Sequence, residues 1–171
     1  MIRKSLFVVM LLFVAVCSQA QFRHIKGVKS AEAGGGITKY GFFYYGGYTQ
    51  YFSRNFYGKA TLFYEQGDDS GIAYSSIGGD IALAYTFFKI GESVYINGTS
   101  GVTFALDKIT EGAETFDVSQ KFKPGALLGA EVEFFITDKV VLILAGDQRI
   151  LLGSEFGNYR AYYRGGIRFN F

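Results

Sequence analysis

From Tyr159 to Phe171 the chain alternates between two kinds of position without a break. Tyr159, Ala161, Tyr163, Gly165, Ile167, Phe169 and Phe171 fall on one side; Arg160, Tyr162, Arg164, Gly166, Arg168 and Asn170 fall on the other. A period of two is the mark of an extended strand with two unlike faces. Four more segments repeat it. In Ser75–Phe87, Ile77, Gly79, Ile81, Leu83, Tyr85 and Phe87 oppose Ser76, Gly78, Asp80, Ala82, Ala84 and Thr86. In Val94–Leu106, Val94, Ile96, Val102 and Phe104 oppose Tyr95, Asn97, Thr99 and Thr103. In Gly125–Ile136, Ala126, Leu128, Ala130, Val132, Phe134 and Ile136 oppose Gly129, Glu131 and Glu133. In Val140–Leu151, Val140, Leu142 and Leu144 oppose Asp147 and Arg149. Tyr57–Gln66 alternates moderately. Ile37–Phe52 is aromatic on both faces, which leaves its sidedness unassigned, and Val28–Gly35 reads as a weak, glycine-rich first strand. The pattern predicts eight strands and no helix after residue 20.

The connections between these strands differ in length. Ser53-Arg54-Asn55, Lys89–Ser93 and Thr137-Asp138-Lys139 are short, Gly67–Gly71 and Gly153–Asn158 are polar, and Asp107–Phe122 is the longest. With the N-terminus in the periplasm, the short ones fall on the periplasmic side and the longest outside, as in outer-membrane barrels. Gly34-Gly35-Gly36, read as a tight connection, is the exception.

Alternation alone does not say which face points inward. A soluble, lipocalin-like barrel buries its apolar face, and a membrane barrel does the reverse. Three features select the membrane case. Several segments exceed the usual strand length of about 5–6 residues and reach the roughly 9–11 needed to cross lipid at a tilt. No charge interrupts the apolar faces. The opposite faces mix small residues with charges of both signs: Asp80, Glu131, Glu133, Asp147, Arg149, Arg160, Arg164 and Arg168. An eight-stranded barrel has an interior just wide enough for side chains. The expected fold is therefore all-β, an eight-stranded antiparallel up-and-down transmembrane β-barrel of the outer-membrane type, with those eight residues as a charge network in its lumen. That network reads as a packed ionic plug, with a narrow path or gate as the functional alternative. Lipid of the outer membrane is the expected surroundings.

The first twenty residues fit an export signal. Arg3 and Lys4 precede an apolar run, Leu6–Val16, and Ser18-Gln19-Ala20 is a small-x-small cleavage site before Gln21. The run is too short for a helix across a bilayer, which needs about 20 residues. The expected organisation is a signal peptide at 1–20 and one barrel domain at 21–171. Cys17, the chain's single cysteine, follows Val16 rather than the small residue a lipidation signal wants, and it leaves with the signal. Cleavage also removes two basic residues and leaves 15 of each sign, so nothing in the bulk charge attracts nucleic acid. Twenty-three glycines, one proline and 18% aromatics suit strands and turns rather than disorder.

Candidate chemistry is sparse. The one histidine, His24, precedes the first strand, which removes His-based triads and His/Cys metal sites from the barrel. Glu131 and Glu133 form a carboxylate pair on one face, but arginines on neighbouring strands make them ion-pair partners rather than acid and base. Asp68-Asp69 is too little for calcium, which takes about 6–8 oxygens. Asn97-Gly98-Thr99 matches a glycosylation sequon but lies mid-strand on the lumen side. Neither metal, cofactor, small-molecule substrate nor enzymatic activity is expected.

The C-terminal stretch Val140–Phe171 resembles the conjugative transposon protein TraO family. In that family an apolar strand leads to a basic residue, then a short turn, then an aromatic-Arg strand closing on G-x-RFNF. The matching pieces are Val141–Gly146, Arg149, Leu152–Ser154, Tyr159-Arg160 and Gly166–Phe171. The middle is looser: Gly101–Gly112 stands where the family has Gly-Tyr-Glu and Asn-Arg-Gly patterns and reproduces neither. The resemblance implies an accessory component of conjugative DNA transfer, with other proteins of that apparatus as partners and no catalytic residues. The terminal aromatics Phe169 and Phe171 are expected to serve as the signal read by the barrel assembly machinery. The competing function is a generic small barrel for adhesion, ligand binding or envelope maintenance.

Overall fold

The computed structural model describes residues 24–69, 72–109, 122–153 and 158–171. The expected signal peptide and most of the Asp107–Phe122 connection lie outside the described residues. The eight strands are β1 (Lys29–Thr38), β2 (Gly41–Tyr51), β3 (Phe56–Asp69), β4 (Ile72–Ile90), β5 (Val94–Ile109), β6 (Phe122–Phe135), β7 (Val140–Leu151) and β8 (Tyr159–Asn170). Each pairs antiparallel with its neighbour in sequence, and β8 pairs back with β1 to close the barrel. Closure leaves no sheet edge unpaired.

The distribution of burial is inverted relative to a soluble protein. Large apolar side chains at the middle of the strands, such as Leu62, Ile77, Ile81, Val102, Leu128 and Leu144, are exposed on the outer surface. Arg160, Arg168, Glu65, Glu131 and Glu133 are buried inside. Phe42, Tyr44, Tyr159 and Tyr163 ring the loop end, and Phe52, Phe87, Phe88, Phe169 and Phe171 ring the end that carries the N- and C-termini. Aromatic girdles around an apolar band belong to membrane barrels. A β-bulge at Thr86/Phe88 turns both Phe87 and Phe88 outward in the lower girdle.

The glycine triplet is not a turn. Gly34, Gly35 and Gly36 lie within β1, where Gly35 pairs with Tyr44 on one side and Gly165 on the other. A β-carbon on Gly34 or Gly36 would run into the carbonyl oxygens of Gly165 or Tyr163 on β8, so the closing seam of the barrel demands these glycines. The turn that joins β1 to β2 is Lys39-Tyr40, held by the Thr38 hydroxyl, which accepts hydrogen bonds from the amides of Tyr40 and Gly41 at 3.2 and 3.1 Å. Thr137 does the same between β6 and β7 for Lys139 and Val140. Three strands run further than the alternation indicated. Asp68 and Asp69 end β3 rather than forming a turn, Lys89 and Ile90 belong to β4, and Asp107 to β5.

Candidate functional site

The strands deliver one side chain in two to the lumen, and there the charges meet in layers. At the loop end, Arg160 on β8 donates to Asp107 on β5 at 2.6 Å, and Lys123 on β6 donates to the same carboxylate at 3.0 Å. Beside them Glu65 accepts from the hydroxyls of Tyr162 at 2.5 Å, Tyr74 at 2.7 Å and Thr38 at 3.1 Å. One layer down, Arg149 on β7 forks onto Asp80 on β4 with bonds of 3.1 and 2.7 Å. Its guanidinium is stacked between the rings of Tyr162 and Phe63, 3.8 and 4.1 Å away. Planar, delocalised charge suits that slot between two π faces. Thr61 adds a third bond to Asp80 at 2.9 Å.

The densest knot lies nearer the termini. Glu131 on β6 accepts from Lys59 at 2.6 Å, from Arg168 at 2.6 Å, from the Tyr57 hydroxyl at 3.0 Å and from Arg164 at 3.2 Å. Arg164 also donates to Asp147 at 2.8 Å. Arg168 reaches three carboxylates, Glu32 at 2.8 Å, Glu131 and Glu133, as well as the Tyr51 hydroxyl at 3.0 Å. Lys59 lies 2.9 Å from Glu32 as a close charge pair rather than an aligned hydrogen bond. A carboxylate buried without such partners would cost several kcal/mol, by roughly the desolvation of one ion. Each of these seven acids has at least one donor.

All eight residues proposed from the sequence as the lumen network are buried, and the structure joins them in these layers. It adds five more: Glu32, Lys59, Glu65, Asp107 and Lys123. Glu32 and Lys59 sit on strands whose faces the aromatic-rich N-terminal third obscures. Asp107 falls in the stretch that reads as a loop, and Lys123 lies just beyond it. A signal for Lys59 was present, since it shares parity with Tyr57, Thr61 and Phe63 on a strand whose alternate residues are Ala60, Leu62 and Tyr64. Phe169 and Phe171 lie on the outer surface at the seam, where the backbones of Phe171 and Lys29 exchange hydrogen bonds of 2.9 and 3.2 Å.

His24 also departs from expectation. It precedes β1, yet its ring enters the terminal end of the lumen, 5% exposed, and its Nε2 lies 2.6 Å from Glu133. With it the electrostatics close. Among the described buried residues the acids are Glu32, Glu65, Asp80, Asp107, Glu131, Glu133 and Asp147, and the permanent cations are Lys59, Lys123, Arg149, Arg160, Arg164 and Arg168. The acids exceed the permanent cations by one. A protonated His24 brings the sum of these described buried charges to zero.

An antiparallel eight-stranded closed barrel with an apolar exterior and a side-chain-filled, charged interior defines a small barrel of the outer-membrane type. Solved structures agree. The N-terminal β-barrel domain of Pseudomonas aeruginosa OprF is similar with a TM-score of 0.64 at 16% identity, covering 85% of this chain and 98% of that one. A major outer membrane protein from Thermus thermophilus gives 0.64 at 11% identity, covering 85% and 99%. Ail, the attachment invasion locus protein of Yersinia pestis, gives 0.59 at 15% identity, covering 86% and 100%. At these identities the likeness is one of fold. No curated protein matches the chain in sequence. The family model of the conjugative transposon protein TraO matches residues 86–171, half of the chain, and the chain belongs to that family.

Proposed function

We propose that this protein resides in the outer membrane as a structural and interaction component of a conjugative DNA transfer apparatus. Membership of the TraO family carries the assignment to transfer. The exposed apolar belt between two aromatic girdles supports residence in lipid, reached after cleavage of the 1–20 signal peptide. The lumen argues for how the barrel works. Arginines stacked on aromatic rings and clasped by carboxylates fill it, so the barrel serves as a rigid membrane anchor rather than a conduit for DNA. Its contacts with other apparatus proteins then fall to the connections, above all the segment between β5 and β6. The carboxylates are occupied by cations, which fits a non-enzymatic role. Phe169 and Phe171, at the exposed closing seam, form the signal for assembly, and deletion of Phe171 lowers the inserted fraction measured by protease protection of whole cells.

A mating assay tests the reading. Deleting the gene in a donor lowers transfer by orders of magnitude, and the wild-type chain restores it. A chain with residues 110–121 replaced by a tight turn still fractionates with the outer membrane and shifts on a gel with boiling, but restores transfer poorly. Undiminished transfer from the deletion strain would overturn the assignment and leave adhesion, ligand binding or envelope maintenance as the role. A soluble product without the heat shift would overturn the membrane location.

A further inference from the structure

The five described residues ahead of β1, His24 to Val28, turn back onto the end of the barrel. A turn reverses the chain: the amide of Val28 donates to the carbonyl of Ile25 at 3.2 Å, and Gly27 has a φ of 91°, the positive value that a glycine at the third position of such a turn supplies. Ile25, Lys26 and Gly27 are exposed. Beyond them His24 drops into the barrel and closes its terminal end.

The pocket that receives the ring is built from five strands and a turn. Tyr95 on β5 stacks on it at 4.0 Å, Tyr51 on β2 lies at 4.7 Å, Phe135 on β6 at 5.7 Å and Tyr57 on β3 stands edge-on at 6.0 Å. Nε2 meets a carboxylate oxygen of Glu133, and Nδ1 meets the backbone carbonyl of Arg54 at 3.0 Å. The Thr86 hydroxyl on β4, 3.4 Å from Nδ1, spends its own proton on Asn97. Each of these three oxygens is therefore an acceptor, and the ring satisfies both sides when both nitrogens carry protons. Among the described residues the other charges near it are Arg168 on β8, which shares Glu133; Glu131, one pleat further along β6; and Lys89 on β4, whose ammonium lies 5.4 Å from the Tyr95 ring. Among the described residues the imidazolium also supplies the positive charge by which the buried carboxylates exceed the buried Lys and Arg.

We infer that the segment ahead of β1 is a latch on the terminal end of the lumen, closed by the His24 imidazolium between Glu133 and Arg54 and released when the ring loses a proton. The neutral ring turns a lone pair toward one of two acceptors, gives up that bond and leaves the carboxylates one in excess among the described buried charges. This inference rests on the barrel and not on a role in transfer.

His24 is the chain's only histidine, so an untagged mature protein labelled with nitrogen-15 in histidine reports on one ring. In lipid nanodiscs it is followed from about pH 5 to about pH 9, the range over which imidazoles change charge. Trypsin cleavage at Lys26–Gly27 is measured alongside and normalised at each pH to a free peptide of the same sequence. At low pH the ring is doubly protonated and the bond protected. As the neutral ring appears, cleavage accelerates roughly tenfold or more on the same midpoint, as local opening exposes the bond. His24→Phe fills the aromatic pocket without a proton and gives protection that does not vary with pH. His24→Ala is cut quickly throughout. Equal protection of the wild type at both ends of the range would overturn the latch. So would a neutral ring in a protected chain, or a His24→Phe profile that still follows pH.

Discussion

Strands β4 and β8 stand on opposite sides of the barrel, and their inner faces are built from opposite materials. β8 sends in Arg160, Tyr162, Arg164 and Arg168. β4 answers with Ser76, Gly78, Asp80, Ala82, Ala84 and Thr86. Length on one wall is matched by emptiness on the other, because a closed barrel of eight strands has a fixed bore that the two sets of side chains must fill together. The long arms end on carboxylates of the strands between, Asp107, Asp147, Glu131 and Glu133. Rings from β3 lean over the short wall, with Phe63 lying across Gly78. The lesson is that the lumen's charge pattern and its glycine pattern are one design, and a change on either wall should be felt through the other.

The most severe way to break this arrangement is to shorten the long wall at its busiest point. Arg168→Met keeps bulk but strips the guanidinium from Glu32, Glu131 and Glu133 together. Removing one partner of a buried ion pair costs about 3–5 kcal/mol, and this change affects three. The urea midpoint for unfolding from lipid vesicles, followed by the heat-dependent gel shift, should fall steeply. An unchanged midpoint would mean that the knot contributes nothing to stability. The neighbouring position supplies the mirror image. Ile167 points outward at the same height, and Ile167→Arg places a charge on the lipid face, at a cost below the roughly 2–4 kcal/mol of the bilayer midplane because the Phe169 girdle lies close by. Adjacent residues thus respond to arginine with opposite signs, a result that no soluble orientation of this strand would give.

Filling the short wall is expected to cost less. A β-carbon at Gly78 would collide with the Phe104 carbonyl and the Phe63 ring, so Gly78→Val should destabilise by about 1–3 kcal/mol, the usual range for overpacking. Gly46 is the control. It faces outward on β2, where an added β-carbon meets nothing nearer than 3.8 Å, and Gly46→Ala should leave the midpoint unchanged or raised. Equal losses at both positions would point to the strand's backbone rather than to the lumen.

The same contrast explains what could be read from the sequence. β4 and β8 each have one face of a single kind, lipid-facing apolar residues, so a period of two gave away both their existence and their sidedness. β2 places Phe43 and Tyr45 inside and Phe42 and Tyr44 outside. Tyrosine and phenylalanine satisfy both environments there, and the period carries no information about sides. With β2 unassigned, Glu32 and Lys59 on the adjoining strands had no visible partners. Gly34–Gly36 misled for a different reason. Glycine marks both a turn and a place where two backbones crowd, and only the β1–β8 pairing, a contact across 130 residues of sequence in the case of Gly35 and Gly165, distinguishes them. His24 escaped because it belongs to no strand, and no local pattern announces that a chain will turn back into its own barrel.

The smallest expected effect separates two threonines that look alike in sequence. Thr61 and Thr99 are both buried and both face the lumen. Thr61 on β3 donates to Asp80 at 2.9 Å and helps to hold the carboxylate that grips Arg149. Thr61→Val removes that donor and leaves an acceptor on a charged group short of one bond, so a loss of about 1–2 kcal/mol is expected. The Thr99 hydroxyl on β5 has no protein partner among the described residues. Thr99→Val keeps the branched shape that a strand favours and removes a polar atom whose burial nothing in the protein offsets, so the midpoint should hold or rise slightly, by about 1 kcal/mol at most. Thermal or urea midpoints of the two variants, measured side by side in one lipid, decide it. A loss at Thr99 equal to that at Thr61 would show that both threonines are tied into one hydrogen-bonded network across the lumen, and that the β5 wall is held as firmly as the β8 wall it helps to accommodate.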